Sequence, residues 1–80
     1  MDIDAAGFIR GAAEVLYVDA EKLSLETEFR QAVPHWSSLL GYGLIVWMEE
    51  IYGFNCPITD FERARRLGDL FDMVRKHERA

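Results

Sequence analysis

Apolar residues recur at three- and four-residue spacing through Phe8, Ile9, Ala12, Val15 and Leu16, which predicts an amphipathic helix from about Ala5 to Tyr17. Asp2 and Asp4 stand ahead of it, where acidic side chains favour the positive end of a helix. Gly7 and Gly11 each cost about 1 kcal/mol relative to alanine within a helix. Their presence predicts that this helix packs closely against a neighbour. Asp19 to Leu23 has the character of a short helical turn. From Ser24 to Trp36 the periodicity lapses, and single large apolar residues (Leu25, Phe29, Val33, Trp36) alternate with polar ones. This stretch is expected to be a long ordered loop without regular structure, pinned to the core by those four side chains.

Pro34 disfavours helix before it, and Ser37 and Ser38 are placed to cap the next one. That second main helix is expected from about Ser38 to Tyr52, with Leu40, Leu44, Ile45, Met48, Ile51 and Tyr52 as its buried stripe. Gly53 suits a left-handed end. Thr59 and Glu62 have capping-box spacing and predict a short helix that ends near Arg66. Gly68 and Asp69 open the last helix, with Leu67, Leu70, Phe71 and Val74 inward and Arg75, Lys76 and His77 at its C-terminal end. No β-alternation of useful length appears. The expected fold is all-α: a small four-helix bundle of three main helices and one short helix, with a long loop between helices one and two.

Length and charge narrow the reading. The 80 residues make one domain, 1–80, and half of them are hydrophobic, enough for one small core. The net charge of -5 disfavours nucleic acid and suits partners with basic patches. Cys56 is the only cysteine, so no internal disulfide and no cysteine-based metal site can form. His35 and His77 have no metal-ligand spacing, so no metal is expected. The acidic N-terminus is unlike a secretion signal, and the longest apolar stretch, Leu44 to Met48, is too short to cross a bilayer. A cytoplasmic protein without membrane insertion is expected, with a monomer as the working assembly. Paired carboxylates, a nucleophile with a base, and a phosphate-binding glycine loop are all missing, so no enzyme is expected. Cys56 reads as a small buried hydrophobe, with His35 the one candidate base for it. Arg63, Arg65 and Arg66 read as a solvated face.

Several segments resemble the acyl and peptidyl carrier proteins. Leu16-Tyr-Val-Asp-Ala-Glu-Lys-Leu23 is similar to that family's end of helix one, and Phe29 stands where the family has a loop phenylalanine. Trp36-Ser-Ser-Leu39 resembles the family's attachment motif, Trp-Asp-Ser-Leu. Leu44-Ile-Val-Trp-Met-Glu-Glu-Ile-Tyr-Gly53 is similar to its second helix, and Pro57 and Leu67-Gly-Asp-Leu70 to its later segments. The similarity runs from about residue 8 to residue 74, and the order and spacing of the motifs are more specific than any one of them.

The resemblance implies a carrier that performs no catalysis. Its cofactor would be 4'-phosphopantetheine, moved from coenzyme A to Ser38 by a phosphopantetheinyl transferase, with Ser37 and Trp36 flanking the attachment point. The arm would hold an acyl or aminoacyl group as a thioester for acyl-transferring or condensing enzymes. Trp36 is read as a core anchor that also orients Ser38. Leu39, Leu40, Tyr42, Val46, Glu49 and Glu50 are the expected partner-docking residues. Phe29, Leu44, Met48, Phe61 and Leu70 are the expected lining of a cleft for the acyl chain. The family's usual aspartate before the serine is Ser37 here, and the early part of helix two is apolar instead of acidic. These departures point to a specialised lipid or secondary-metabolite pathway with a dedicated partner. They also keep an alternative open: a non-enzymatic interaction module on the carrier fold that receives no arm.

Overall fold

A computed structural model describes residues 4–78. Among them run five α-helices and one 3-10 turn: α1 (Ala5–Leu16), the 3-10 turn (Ala20–Lys22), α2 (Phe29–Ala32), α3 (Ser38–Tyr52), α4 (Ile58–Arg63) and α5 (Leu67–Glu78). The fold is all-helical, and the three long helices α1, α3 and α5 pack against one another. Phe8, Ala12 and Leu16 of α1, Leu44, Ile45 and Met48 of α3, and Leu67, Leu70, Phe71 and Val74 of α5 join Phe29, Val33, Phe61 and Ala64 in one core. Among the described residues, no helix is long and apolar enough to cross a membrane.

Local chemistry sets the ends of α1. Asp4 is extended, and its carboxylate accepts the Gly7 N–H, satisfying a first-turn donor. Asp2, the other acidic residue expected there, lies outside the described residues. Tyr17 closes the helix with φ 59° and donates its N–H to the end carbonyls. The expected Gly11 approach is present: a Cβ built there would lie 2.2 Å from Cζ2 of Trp47 on α3. Helix propensity alone would make Gly11→Ala stabilising by about 1 kcal/mol. Here the Trp47 ring would have to leave its contacts with Phe8 and Tyr52, at centroid distances of 5.3 and 5.7 Å. Gly11→Ala is therefore expected to destabilise by about 1 to 2 kcal/mol in urea titration, and a rise in the midpoint would show that the indole moves aside freely.

The segment between the first two long helices differs from expectation. Leu25, Phe29, Val33 and Trp36 do anchor it, but it is not free of regular structure. Phe29–Ala32 forms a single helical turn, α2, so the four expected helices become five. The turn ends at Ala32, with Val33 as its C-cap directly before Pro34, where the proline disfavours helix. The segment is also tied by its backbone: Leu67 donates to the Thr27 carbonyl at 3.0 Å and Gly68 to that of Leu25 at 2.8 Å. Gly68 is needed at that crossing, because a Cβ there would come within 2.9 Å of the Leu25 oxygen.

Three further expectations are corrected. Thr59 does not cap a helix: α4 begins at Ile58, behind Pro57, with no side-chain cap. Starting there turns Phe61 into the core and leaves Thr59 exposed within the first turn. The helix stops at Arg63, short of Arg66, since the Arg65 and Arg66 N–H groups turn to the Asp69 carboxylate at 2.9 and 3.0 Å. On α3, Ile51 is 53% exposed and not part of the buried stripe, although it stands seven positions after Leu44 on nearly the same face: burial along that face ends at Met48, before the last turn.

Those two N–H bonds, from Arg66 and then Arg65, hold the Asp69 carboxyl below its ordinary value of 3.8. A carboxylate with a depressed folded value adds stability above the unfolded value and loses it as pH falls through the folded one. Asp69→Asn is thus expected to lower the urea midpoint at neutral pH. The difference from the parent should close in acid below 3.8. A gap that persists there would mean the carboxylate charge is not what Asp69 contributes.

Candidate functional site

The site is assembled where the loop enters α3. Val33 accepts the Trp36 N–H at 3.2 Å, which turns the chain after Pro34. The Trp36 ring then meets Phe29 edge-on, with centroids 5.6 Å apart. Trp36 is half-buried against the core, as an anchor would be. Ser37 is the N-cap residue, fully extended at φ -151° and ψ 167°. Its side chain makes no capping hydrogen bond, so the expected serine cap is present in position and absent in bonding.

Ser38 is the first residue of α3 and is exposed. The first backbone bond of the helix runs from Gly41 N–H to the Ser37 carbonyl, at 3.2 Å. The N–H groups of Ser38, Leu39 and Leu40 lie ahead of it, without a side-chain cap from Ser37. A fifteen-residue helix thus brings uncapped donors and its positive end to an accessible hydroxyl.

Beside Ser38, a half-open cavity of about 330 Å³ lies between α3, α4 and the segment that carries Arg30 and Trp36. Buried Ile45 and Phe61 and half-buried Trp36 give it an apolar floor, with exposed Tyr42 and Ile58 alongside. Arg30 and Glu62 complete the lining. A larger depression of about 640 Å³, beside Tyr17, Lys22 and His35, lies away from Ser38.

Arg30 is the residue that sequence reasoning missed. Its guanidinium donates through Nη1 to the Ala64 carbonyl and through Nη2 to that of Phe61, the latter at 2.9 Å. It also lies over three rings, 4.7 Å from the Phe29 centroid, 5.1 Å from Phe61 and 5.8 Å from Trp36. Planar Arg suits this combined forking and stacking role better than Lys would. Nothing local in the sequence distinguishes it from the solvated arginines of the 63–66 stretch.

The expected cleft lining fares differently. Phe29, Leu44, Met48 and Leu70 are fully buried and Phe61 is 5% exposed, all within the single core. Only Phe61 of the five borders the cavity beside Ser38. The remaining four fill the interior because they sit on the inward faces of helices that have nothing else to pack around. The docking set also divides. Leu39, Tyr42 and Val46 are 78%, 57% and 47% exposed, and with exposed Glu50 they share one side of α3. Leu40 is half-buried against the core. Glu49 is used within the chain: its Oε2 accepts the Cys56 N–H at 2.8 Å and fastens the connection from α3 to α4.

The other candidate groups have structural surroundings. Cys56 is buried, and its thiol is pushed up first by burial and then by the Glu49 and Asp60 carboxylates. It is a poor nucleophile for that reason. His35 is tied elsewhere, its Nε2 donating to the Leu16 carbonyl at the end of α1 at 2.8 Å. Arg63, Arg65 and Arg66 are exposed, and Arg66 pairs loosely with Glu26 at 3.8 Å. Such a surface pair contributes about 0 to 1 kcal/mol. Among the described residues, no group of three or more His, Cys, Asp or Glu is arranged to hold a metal ion. No family model matches the chain, and no curated protein matches it.

Proposed function

We propose that this chain is a carrier protein that holds an acyl or aminoacyl group on a 4'-phosphopantetheine arm at Ser38. The observation that carries the reading is the exposure of Ser38 at the first position of α3, beside N–H donors that Ser37 leaves uncapped. A phosphodiester there would meet the positive end of the helix. The resemblance of Trp36-Ser-Ser-Leu39 to the family's attachment motif supports the same residue. The bound arm supplies a thiol that bears the cargo as a thioester. Ser38 tethers it, and the short reach of the tether raises the effective concentration of cargo at a docked enzyme. In this reading the chain catalyses nothing itself. It works in the cytoplasm with a phosphopantetheinyl transferase and with acyl-transferring or condensing enzymes of a specialised lipid or secondary-metabolite pathway.

The test is an intact mass of the folded protein after incubation with coenzyme A and a transferase. A gain of one phosphopantetheine group, mapped by fragmentation to Ser38, is expected. Failure of both promiscuous and cognate transferases on folded protein overturns the reading.

One observation favours a second reading. Leu39, Tyr42 and Val46 form an exposed apolar side of α3, and Ile58 of α4 is 50% exposed. Such a surface suits a partner protein. A non-enzymatic interaction module without an arm would form a complex that survives Ser38→Ala, whereas loss of the complex on that substitution counts against it.

A further inference from the structure

We infer that Arg30 is a latch that keeps the apolar interior closed, so that the carrier holds short cargo in the surface cavity beside Ser38 and rejects long acyl chains from its core. The inference rests on the carrier reading for its biological meaning, but the latch is a property of the fold and is tested without the arm.

The way from Ser38 to the interior passes Phe61, the one expected cleft residue that borders the cavity. Phe61 is carried by α4, a helix of six residues. So short a helix has little stability of its own, and tertiary contacts must hold it in place. Arg30 supplies such contacts. It grips the Phe61 and Ala64 carbonyls, at the C-terminal end of α4, and stacks over the Phe61 ring itself. The same guanidinium lies over Phe29 and Trp36, which join α2 to the start of α3. One side chain therefore fastens α4 to the loop that presents Ser38. A long alkyl chain that reached Leu44 and Met48 past Phe61 would break both Arg30 bonds; the Phe61 carbonyl would keep the Ala64 N–H at 3.1 Å, but the part-buried Ala64 carbonyl would lose the guanidinium. A short acyl or aminoacyl group needs no such opening. It fits the cavity of about 330 Å³, where Arg30 and Glu62 add charge beside the apolar floor.

The experiment places alkyl chains at position 38 chemically. Ser38→Cys in a Cys56→Ala background is converted to its ethyl or dodecyl mixed disulfide, and the methyl resonances of Leu44 and Met48 are followed by NMR. With Arg30 present, the dodecyl and ethyl adducts are expected to give the same core methyl positions. With Arg30→Met, the dodecyl adduct alone should shift them by more than a linewidth. Should that variant lose its fold, Arg30→Lys takes its place, since an ammonium keeps the charge but cannot fork to both carbonyls. Core shifts from the dodecyl chain with Arg30 intact overturn the inference, as does the lack of any shift in both Arg30 variants. Failure of the carrier reading is seen separately, in the mass of the transferase-treated protein.

Discussion

Ser38→Ala is expected to abolish arm addition completely while leaving the unfolding midpoint almost unchanged. Both halves follow from position. The hydroxyl is the only group at that residue that could form the phosphodiester, and Ser37, one residue back, lies outside the helix in extended conformation with different orientation. The side chain at 38 is exposed and does not cap the helix. Replacing it removes no packing, and alanine is the better helix former, so the stability change should stay within about 0.5 kcal/mol. The measurement pairs intact mass after transferase treatment with a urea titration. Continued modification of Ser38→Ala would move the attachment point to another hydroxyl. A stability loss of several kcal/mol would show that Ser38 serves the fold.

The largest stability effect is expected at Phe8. Its side chain is fully buried on α1 and meets the rings of Trp47 and Phe71 at 5.3 Å and Tyr52 at 6.1 Å. Phe8 thus lies where all three long helices meet. Phe8→Ala would remove one ring and leave three others facing a void, a loss of about 3 to 5 kcal/mol. Domains of ordinary stability have about 5 to 15 kcal/mol, and a chain this short belongs toward the low end. Phe8→Ala should therefore be largely unfolded or loosely packed at room temperature, seen as a collapsed near-ultraviolet dichroism signal and an early, shallow urea transition. Phe8→Leu keeps most of the volume and should cost about 1.5 kcal/mol or less. A near-native midpoint for the alanine variant would mean that Trp47 and Phe71 close over the gap.

Much of the site's setting was legible in the residues. The start of α3 at Ser38 and its end before Gly53 stand where the serine pair and the glycine placed them, although Ser37 makes no capping bond. Phe29 and Val33 declared themselves as anchors by being large and apolar in a polar stretch, and both are buried. Leu39, Tyr42 and Val46 were recognisable as an unusual apolar side of a helix, and they are exposed. Less legible was the split within the candidate sets. Leu40 and Glu49 sit one helical step from exposed neighbours, and only the rotation of α3 against the core decides that one packs inward and the other caps Cys56.

By itself the amino-acid sequence determined the three long helices, the loop anchors and the candidate hydroxyl, because periodicity and end signals act between residues a few positions apart. Tertiary structure alone decided the extra turn α2, the early start of α4, the filled interior and the role of Arg30. The bonds from Arg30 span 34 and 31 positions. No local spacing encodes a contact of that range; it exists only once packing has brought α4 beside the loop that leads to Ser38.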